Sequence, residues 1–414
     1  MGMSSEATAH HDHPTGSVEL GAAHRAGLFA SSACAIHCAV TPFLVSLLPL
    51  FGVQTLLDQR LEWFLVGVAV VLGGWTIVPA YRRHHHRTSP VVLFGIGAST
   101  CDTTTDQFGY RSTDCSGSGT GLIVGAYVER IRFSAVLLFS ALWLLLVYAP
   151  VTHWVWGGGW LATRGVMDYA GGLVVHATAG VSALVLAVVL GRREGFPRDL
   201  SPPHNPGMTM IGAGMLWVGW YGFNGGSALT AGGDAAMAIL VTHLSASMAG
   251  LVWALLEKWR FQRPSMVGMV TGVVAGLATV TPASGFVGPI GGVILGAAGS
   301  VVCFFAVDLV KHRFKIDDSL DVFAVHGVGG ILGTLLVAFL AAPALGGAGY
   351  GVTGGMGGQA LIQVIGVVSV CAWSGVAAAA LAYLTRAVTG LRARDEEIEE
   401  GLDMTYHGER AYNP

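Results

Sequence analysis

Apolar residues in this chain come in runs too long for the core of a soluble domain. Ten stretches, at about 27–50, 62–80, 133–151, 168–191, 208–229, 234–257, 266–283, 287–309, 326–344 and 358–387, are candidates. A helix needs roughly 20 apolar residues to cross about 30 Å of hydrocarbon, and these runs are of that size. The last is long enough to kink or tilt. Residues 1–26 are polar, carrying His10, His11, Asp12, His13 and Pro14 without an apolar core, which reads as a disordered leader rather than a signal peptide. Residues 99–120, STCDTTTDQFGYRSTDCSGSGT, are too polar to span a membrane and too poor in apolar side chains to fold alone. They read as a junction between two unlike pieces, and residues 388–414 as a polar tail. The pattern predicts an all-α, polytopic transmembrane helical bundle.

Composition agrees with the bilayer as solvent, since 53% of the 414 residues are hydrophobic and only 11% charged. Sixty glycines interleaved with apolar runs fit helices that associate through small residues. A net charge of −3 offers no basic face to release counterions from phosphate, which excludes nucleic acid as a partner. Six cysteines scattered through apolar stretches fit small buried side chains better than a disulfide framework. No nucleophile–base set or closed metal site appears, so an enzyme is disfavoured and no cofactor is expected.

Basic residues set the orientation, because Lys and Arg stay on the cytoplasmic side. Arg82, Arg83 and Arg87, then Arg130 and Arg132, Arg192 and Arg193, Lys258 and Arg260, Lys311 and Arg313, and Arg386 onward fall in alternating connections, with Arg60 and Arg164 as exceptions. Both termini are therefore predicted to be cytoplasmic.

Two segments resemble each other. One runs Asp168-Tyr-Ala-Gly-Gly-Leu-Val-Val-His176 and the other Asp321-Val-Phe-Ala-Val-His326, each placing a carboxylate ahead of a histidine in an apolar, glycine-lined helix. Paired repeats of this kind occur in transporters whose solute sites lie at the repeat interface. Ionisable groups inside a membrane are costly and so read as functional. The alternative is that each imidazole bonds a backbone carbonyl in a packed core.

Six stretches in order carry a further likeness: GLIVGAYVERIRFSAVL (121–137), HWVWGGGWLA (153–162), MDYAGGLVVH (167–176), GWYGFNGGSA (219–228), DVFAVHGVGGILG (321–333) and GLDMTYHGERAYNP (401–414). From residue 121 to 414 the chain resembles the Amt/Mep/Rh ammonium transporter family, in its bacterial branch. The resemblance implies transport of ammonium or ammonia across the inner membrane by a homotrimer. It implies twin pore histidines at His176 and His326, an outer recruitment site at Trp156 and Ser227, and pore closure by Phe223. Asp168 matches the family's buried aspartate beneath the recruitment site. Read from the residues alone, a helix N-cap serves Asp168 equally well. A PII-type signalling protein at the tail is the partner that the resemblance suggests, and ammonium sensing without transport is an alternative activity.

The expected partner of Phe223 in the closing gate falls near Cys115, and no phenylalanine lies between Phe108 and Phe133. The first repeat is thus expected to be incomplete, with an open wall beside His176. Residues 25–98 instead resemble MerC-type mercury-resistance membrane proteins through LFASSACAIHCAVTPFLVSLLP and EWFLVGVAVVLGGWTIVPAYRRHHHR. Cys34 and Cys38 lie four apart, on one helical face, where two thiolates would suit a soft ion such as Hg²⁺. The domain reading is a leader at 1–26, a MerC-like pair at 27–98, a junction at 99–120, a transporter core at 121–387 and a tail at 388–414. Mercuric ion transport or binding by the N-terminal segment is the alternative function.

Overall fold

The computed structural model describes residues 119–198 and 203–408. Cys34, Cys38, the leader, the 27–98 segment and all but the last two residues of the junction lie outside the described residues. Residues 119–124 are helical.

Every apolar run from residue 133 onward is a helix. In chain order these are α1 (Phe133–Val155), α2 (Gly172–Leu190), α3 (Pro206–Gly226), α4 (Gly233–Phe261), α5 (Met266–Val280), α6 (Pro289–Arg313), α7 (Phe323–Leu340) and α8 (Gly355–Thr389). Two short helices, α9 (Asp395–Glu400) and α10 (Leu402–His407), follow. Six of the eight long ones are sufficiently long and apolar to cross a membrane; α3 and the 15-residue α5 are the exceptions. At about 1.5 Å per residue, the 35-residue α8 is longer than the hydrocarbon is thick and must tilt or project beyond it.

Lipid tails give apolar helices no reason to associate, so the helices meet through residues small enough to let backbones approach. Gly292 and Gly296 of α6 lie on Val241 and Ser245 of α4, while Gly272 and Gly276 of α5 lie on Trp253 and Ala249 of the same helix. The outward faces carry exposed Ile211, Met215, Leu251, Leu255, Val368 and Val376. Water would penalise that surface and hydrocarbon does not.

Charged connections gather at one end of the bundle. Arg130, ahead of α1, bonds Ser319 Oγ at 2.8 Å and the carbonyl and carboxylate of Asp317. Arg193, past the end of α2, grips the same Asp317 through both carboxylate oxygens. Those three connections come from separate parts of the sequence and share one buried carboxylate.

The start of the tail at 388–414 bonds to the bundle. Leu391 O accepts from Arg132 N at 3.0 Å, Ala393 N donates to Arg130 O at 3.0 Å, and Ile131 and Arg392 form an antiparallel bridge. Arg392 also donates to the carbonyls of Leu190 and Arg192 at the C-terminal end of α2, and His407 meets Phe133 edge-on at 5.2 Å. A helix end leaves carbonyls unsatisfied and partly negative, which is where an arginine is held best. Leu391 and Ala393 are buried by these contacts, while α9 and α10 lie at the surface.

Candidate functional site

Helices α2 and α7 are built alike. Each opens with a π-helical turn, Gly172–Ala177 and Phe323–Gly327, and continues as a 13-residue α-helix, Thr178–Leu190 and Val328–Leu340. Each π turn holds a histidine, and the wider turn is seen directly where His176 N donates to Gly171 O, five residues back, at 2.9 Å. Single π turns inside helices are frequent at functional sites.

A carboxylate anchors each turn. Asp168 Oδ1 accepts from the N–H groups of Gly171 (2.9 Å) and Gly172 (2.6 Å), and its Oδ2 from Leu173 (2.9 Å) and Val174 (3.1 Å). One side chain thus satisfies the free donors of a buried helix start, which no water can reach. Gly171 makes the approach possible with φ at +113°, where a Cβ would lie 2.5 Å from Val175 and 3.3 Å from Trp156. In α7 the equivalent group is not Asp321, as the sequence comparison paired it, but Asp318. It stands eight residues before His326, as Asp168 stands eight before His176, and its Oδ2 accepts from Phe323 N at 2.7 Å. Asp321 instead pairs with Lys311 at 2.7 Å. Matching the segments by their nearest carboxylate put the register three residues out; the spacing of eight was the signal available.

The two turns bring the imidazoles face to face. Ring centroids of His176 and His326 are 5.2 Å apart, with planes inclined by 25°. Both residues are buried, His176 at 1% and His326 at 8% exposure. Nδ1 and Nε2 of His176 and Nδ1 of His326 bond no group among the described residues, so the packed-core alternative, with each ring bonded to a backbone carbonyl, does not describe them. Buried polar atoms are normally satisfied, so three unsatisfied ring nitrogens side by side are unusual. Burial of His176 also departs from the open wall expected beside it: Trp220, Phe223 and His326 pack on its ring.

Trp220 was not singled out by sequence reasoning. Its indole stacks on His176 (5.4 Å, 16°) and lies parallel to His326 (6.4 Å, 9°), held by a 2.9 Å bond from Nε1 to Thr281 Oγ1. Its position one turn before Phe223 on the same face of α3 was a usable signal. Thr281, beyond α5, offered none. Phe223 lies 6.4 Å from His176 and 5.8 Å from Trp220.

Trp156 is half-buried, and its Nε1 donates to Asp168 O at 2.7 Å. Ser227, also half-buried and one turn beyond Phe223, donates to Phe223 O at 2.9 Å, leaving its lone pairs able to accept. Asp168 therefore links Trp156 to the start of the histidine helix, while Ser227 is tied to the Phe223 backbone.

Comparison with known proteins gives the family. The Ammonium Transporter Family model matches residues 52–412. The chain belongs to that family. The match begins well before residue 121, where the sequence motifs start, and takes in residues 52–98 of the stretch that resembles mercury-resistance proteins. Two-span apolar segments differ little in composition, and the motif behind that second resemblance is short. Among relatives, an ammonium transporter of Aquifex aeolicus is 48% identical over 295 residues, covering 71% of this chain and 68% of that protein. Ammonium transporter Amt1 of Archaeoglobus fulgidus is 44% identical over 291 residues, 70% of this chain and 74% of that one. A solved structure of a Sensor Amt Protein matches with a TM-score of 0.67 at 30% identity, covering 71% of this chain and 75% of that chain. Multi-pass helical architecture and family membership in the ammonium transporters follow together.

Proposed function

We propose that this chain passes ammonium across the membrane as ammonia and a proton, through a pore lined by His176 and His326. The observation that carries the reading is the pair of buried imidazoles 5.2 Å apart, with three ring nitrogens that find no partner among the described residues. Ammonium is close to potassium in size, so selection must use its N–H donors and its exchangeable proton. A neutral imidazole offers one donor and one acceptor, and two in contact can pass a proton between them. A bare cation would pay a steep desolvation cost in the apolar passage, and neutral ammonia does not.

The remaining roles follow in order along the path. The face of Trp156 holds the cation by attraction worth roughly 1–2 kcal/mol, and Ser227 accepts one of its N–H bonds. Phe223 closes the passage above His176, and Asp168 supports both Trp156 and the histidine turn. We place the charged end, with both termini, on the cytoplasmic side of the inner membrane, from the clustering of basic connections. The assembly is proposed as a homotrimer, with the tail as the docking place for a PII-type protein.

Uptake of radiolabelled methylammonium by vesicles containing the purified chain tests the reading. Saturable uptake that is lost in His176→Ala and in His326→Ala supports it; equal uptake by wild type and both variants removes it. A chain that binds methylammonium without moving it would be a sensor instead. Cross-linking that stops at dimers would overturn the trimer, and failure of the tail to retain a PII-type protein would overturn that partnership.

Ahead of residue 52 a separate proposal stands on Cys34 and Cys38, whose spacing suits two-coordinate capture of mercuric ion. Full-length chain should bind one Hg²⁺ that Cys34→Ser with Cys38→Ser does not. Unchanged binding by the double variant would end the mercury reading.

A further inference from the structure

The two carboxylates that anchor the histidine turns are placed alike and satisfied unequally. Asp168 accepts four backbone N–H groups. Asp318 is completely buried, accepts from Phe323 N through Oδ2, and leaves Oδ1 without a partner among the described residues. Three residues on stands a second carboxylate, Asp321, which holds the nearest cation, Lys311, at 2.7 Å. The guanidinium groups that approach from the other elements, Arg130 ahead of α1 and Arg193 past α2, are both bonded to Asp317. Asp318 is thus a buried carboxylate facing a like charge, with the surrounding cations engaged elsewhere.

We propose that Asp318 is a positioning residue for His326, and that its charge makes conduction sensitive to pH at the end of the bundle where the basic connections gather. The proposal rests on the twin-histidine pore. Burial, then the charge of Asp321, push the Asp318 carboxyl up to about 6, against the pull of the Phe323 and Val322 N–H groups and of Lys311. Above that value the ionised carboxylate complements the positive end of α7 and favours a proton passing along the imidazoles. Below it, one oxygen becomes a donor, the charge facing the turn is lost and the first turn of α7 is held less firmly. A carboxyl raised in the folded state costs stability when ionised, and that cost is relieved as pH falls through about 6. Acid therefore does not unfold the helix through this group. Its effect falls on the setting of His326.

The test uses vesicles containing the full chain, with methylammonium as probe and interior and exterior pH varied separately between about 7.5 and about 5.5. Wild-type uptake should fall roughly three- to tenfold as pH on the responsive side drops through the Asp318 midpoint, the range that losing a cap charge implies. Asp318→Asn should transport at the acid-side rate throughout, with a flat profile and a melting temperature no lower than that of the wild type. Asp321→Asn removes the repelling charge while leaving the cap, and should move the midpoint to lower pH. A wild-type profile in Asp318→Asn overturns the inference, as does an unshifted midpoint in Asp321→Asn, the arm that decides if Asp318→Asn does not fold. Uptake by His326→Ala equal to wild type would show that the pore reading itself had failed. Loss in His326→Ala beside an unaltered Asp318→Asn would sink only the role given to Asp318.

Discussion

Gly180 of α2 sits directly on Gly327 of α7: a Cβ added to Gly180 would lie 2.3 Å from the Gly327 Cα. On the other side of the same contact, a Cβ on Gly330 would lie 2.6 Å from the Cβ of His176. The glycine one turn past each histidine therefore receives the other repeat at or beside its histidine. Close approach of the two backbones is what sets the imidazoles at stacking distance.

Gly180→Ala should force α2 and α7 apart. Overpacking a tight contact costs about 1–3 kcal/mol, and here it also separates the rings. The expected outcome is a lowered melting temperature in detergent together with loss of methylammonium uptake. Gly375→Ala, where the added Cβ meets its nearest neighbour, Val181, at an ordinary 3.5 Å, should leave both unchanged and serves as control.

Asp168 separates into two roles by substitution. Asp168→Ala leaves four buried N–H groups without acceptors, and each unsatisfied group costs about 1–3 kcal/mol, so the variant should fail to accumulate. Asp168→Asn keeps one carbonyl oxygen and should accumulate at a reduced level while losing uptake. Equal accumulation of Ala, Asn and wild-type chains, judged by size-exclusion yield, would show that the cap does not hold the helix start.

The indole of Trp220 should matter for orientation more than for bulk. Thr281→Val removes the acceptor at 2.9 Å from Nε1 and leaves a buried donor unpaired, at a cost of about 1–3 kcal/mol. Uptake by Thr281→Val should fall, and Trp220→Phe, which removes ring and donor together, should fall further. If Trp220→Phe transports normally, stacking on the two histidines is packing alone.

Trp156→Leu should raise the methylammonium concentration needed for half-saturation without changing accumulation. The loss expected is that of a cation–π contact, about 1–2 kcal/mol, or roughly five- to thirtyfold in affinity. Unchanged concentration dependence would reduce Trp156 to a brace between the end of α1 and Asp168.

Much of the bundle could be read from the chain because the bilayer imposes a one-dimensional rule. A helix that satisfies its own backbone groups and is apolar for some 20 residues has few alternatives in hydrocarbon, and the runs beginning at residues 133, 168 and 208 became α1, α2 and α3 on that ground. His176 and His326 were legible for a related reason, since a buried imidazole in an apolar helix has to be accounted for. Errors arose where a three-dimensional partner decided. Asp321 lies nearer His326 in sequence, yet its carboxylate is taken by Lys311, and the cap falls to Asp318.

By itself, then, the sequence determined that the chain crosses a membrane repeatedly, where its helices run, and that histidine-bearing segments occur in a matched pair. Those are properties of composition and spacing, and they survive any arrangement of the helices. Only the tertiary structure decided that Gly180 meets Gly327, that Trp220 stacks over both imidazoles under the hold of Thr281, and that residues 390–393 are packed against the connection before α1. Each of these depends on contacts between residues far apart in the chain, where steric fit and the satisfaction of buried polar groups choose among helix packings that the apolar pattern leaves equal in energy.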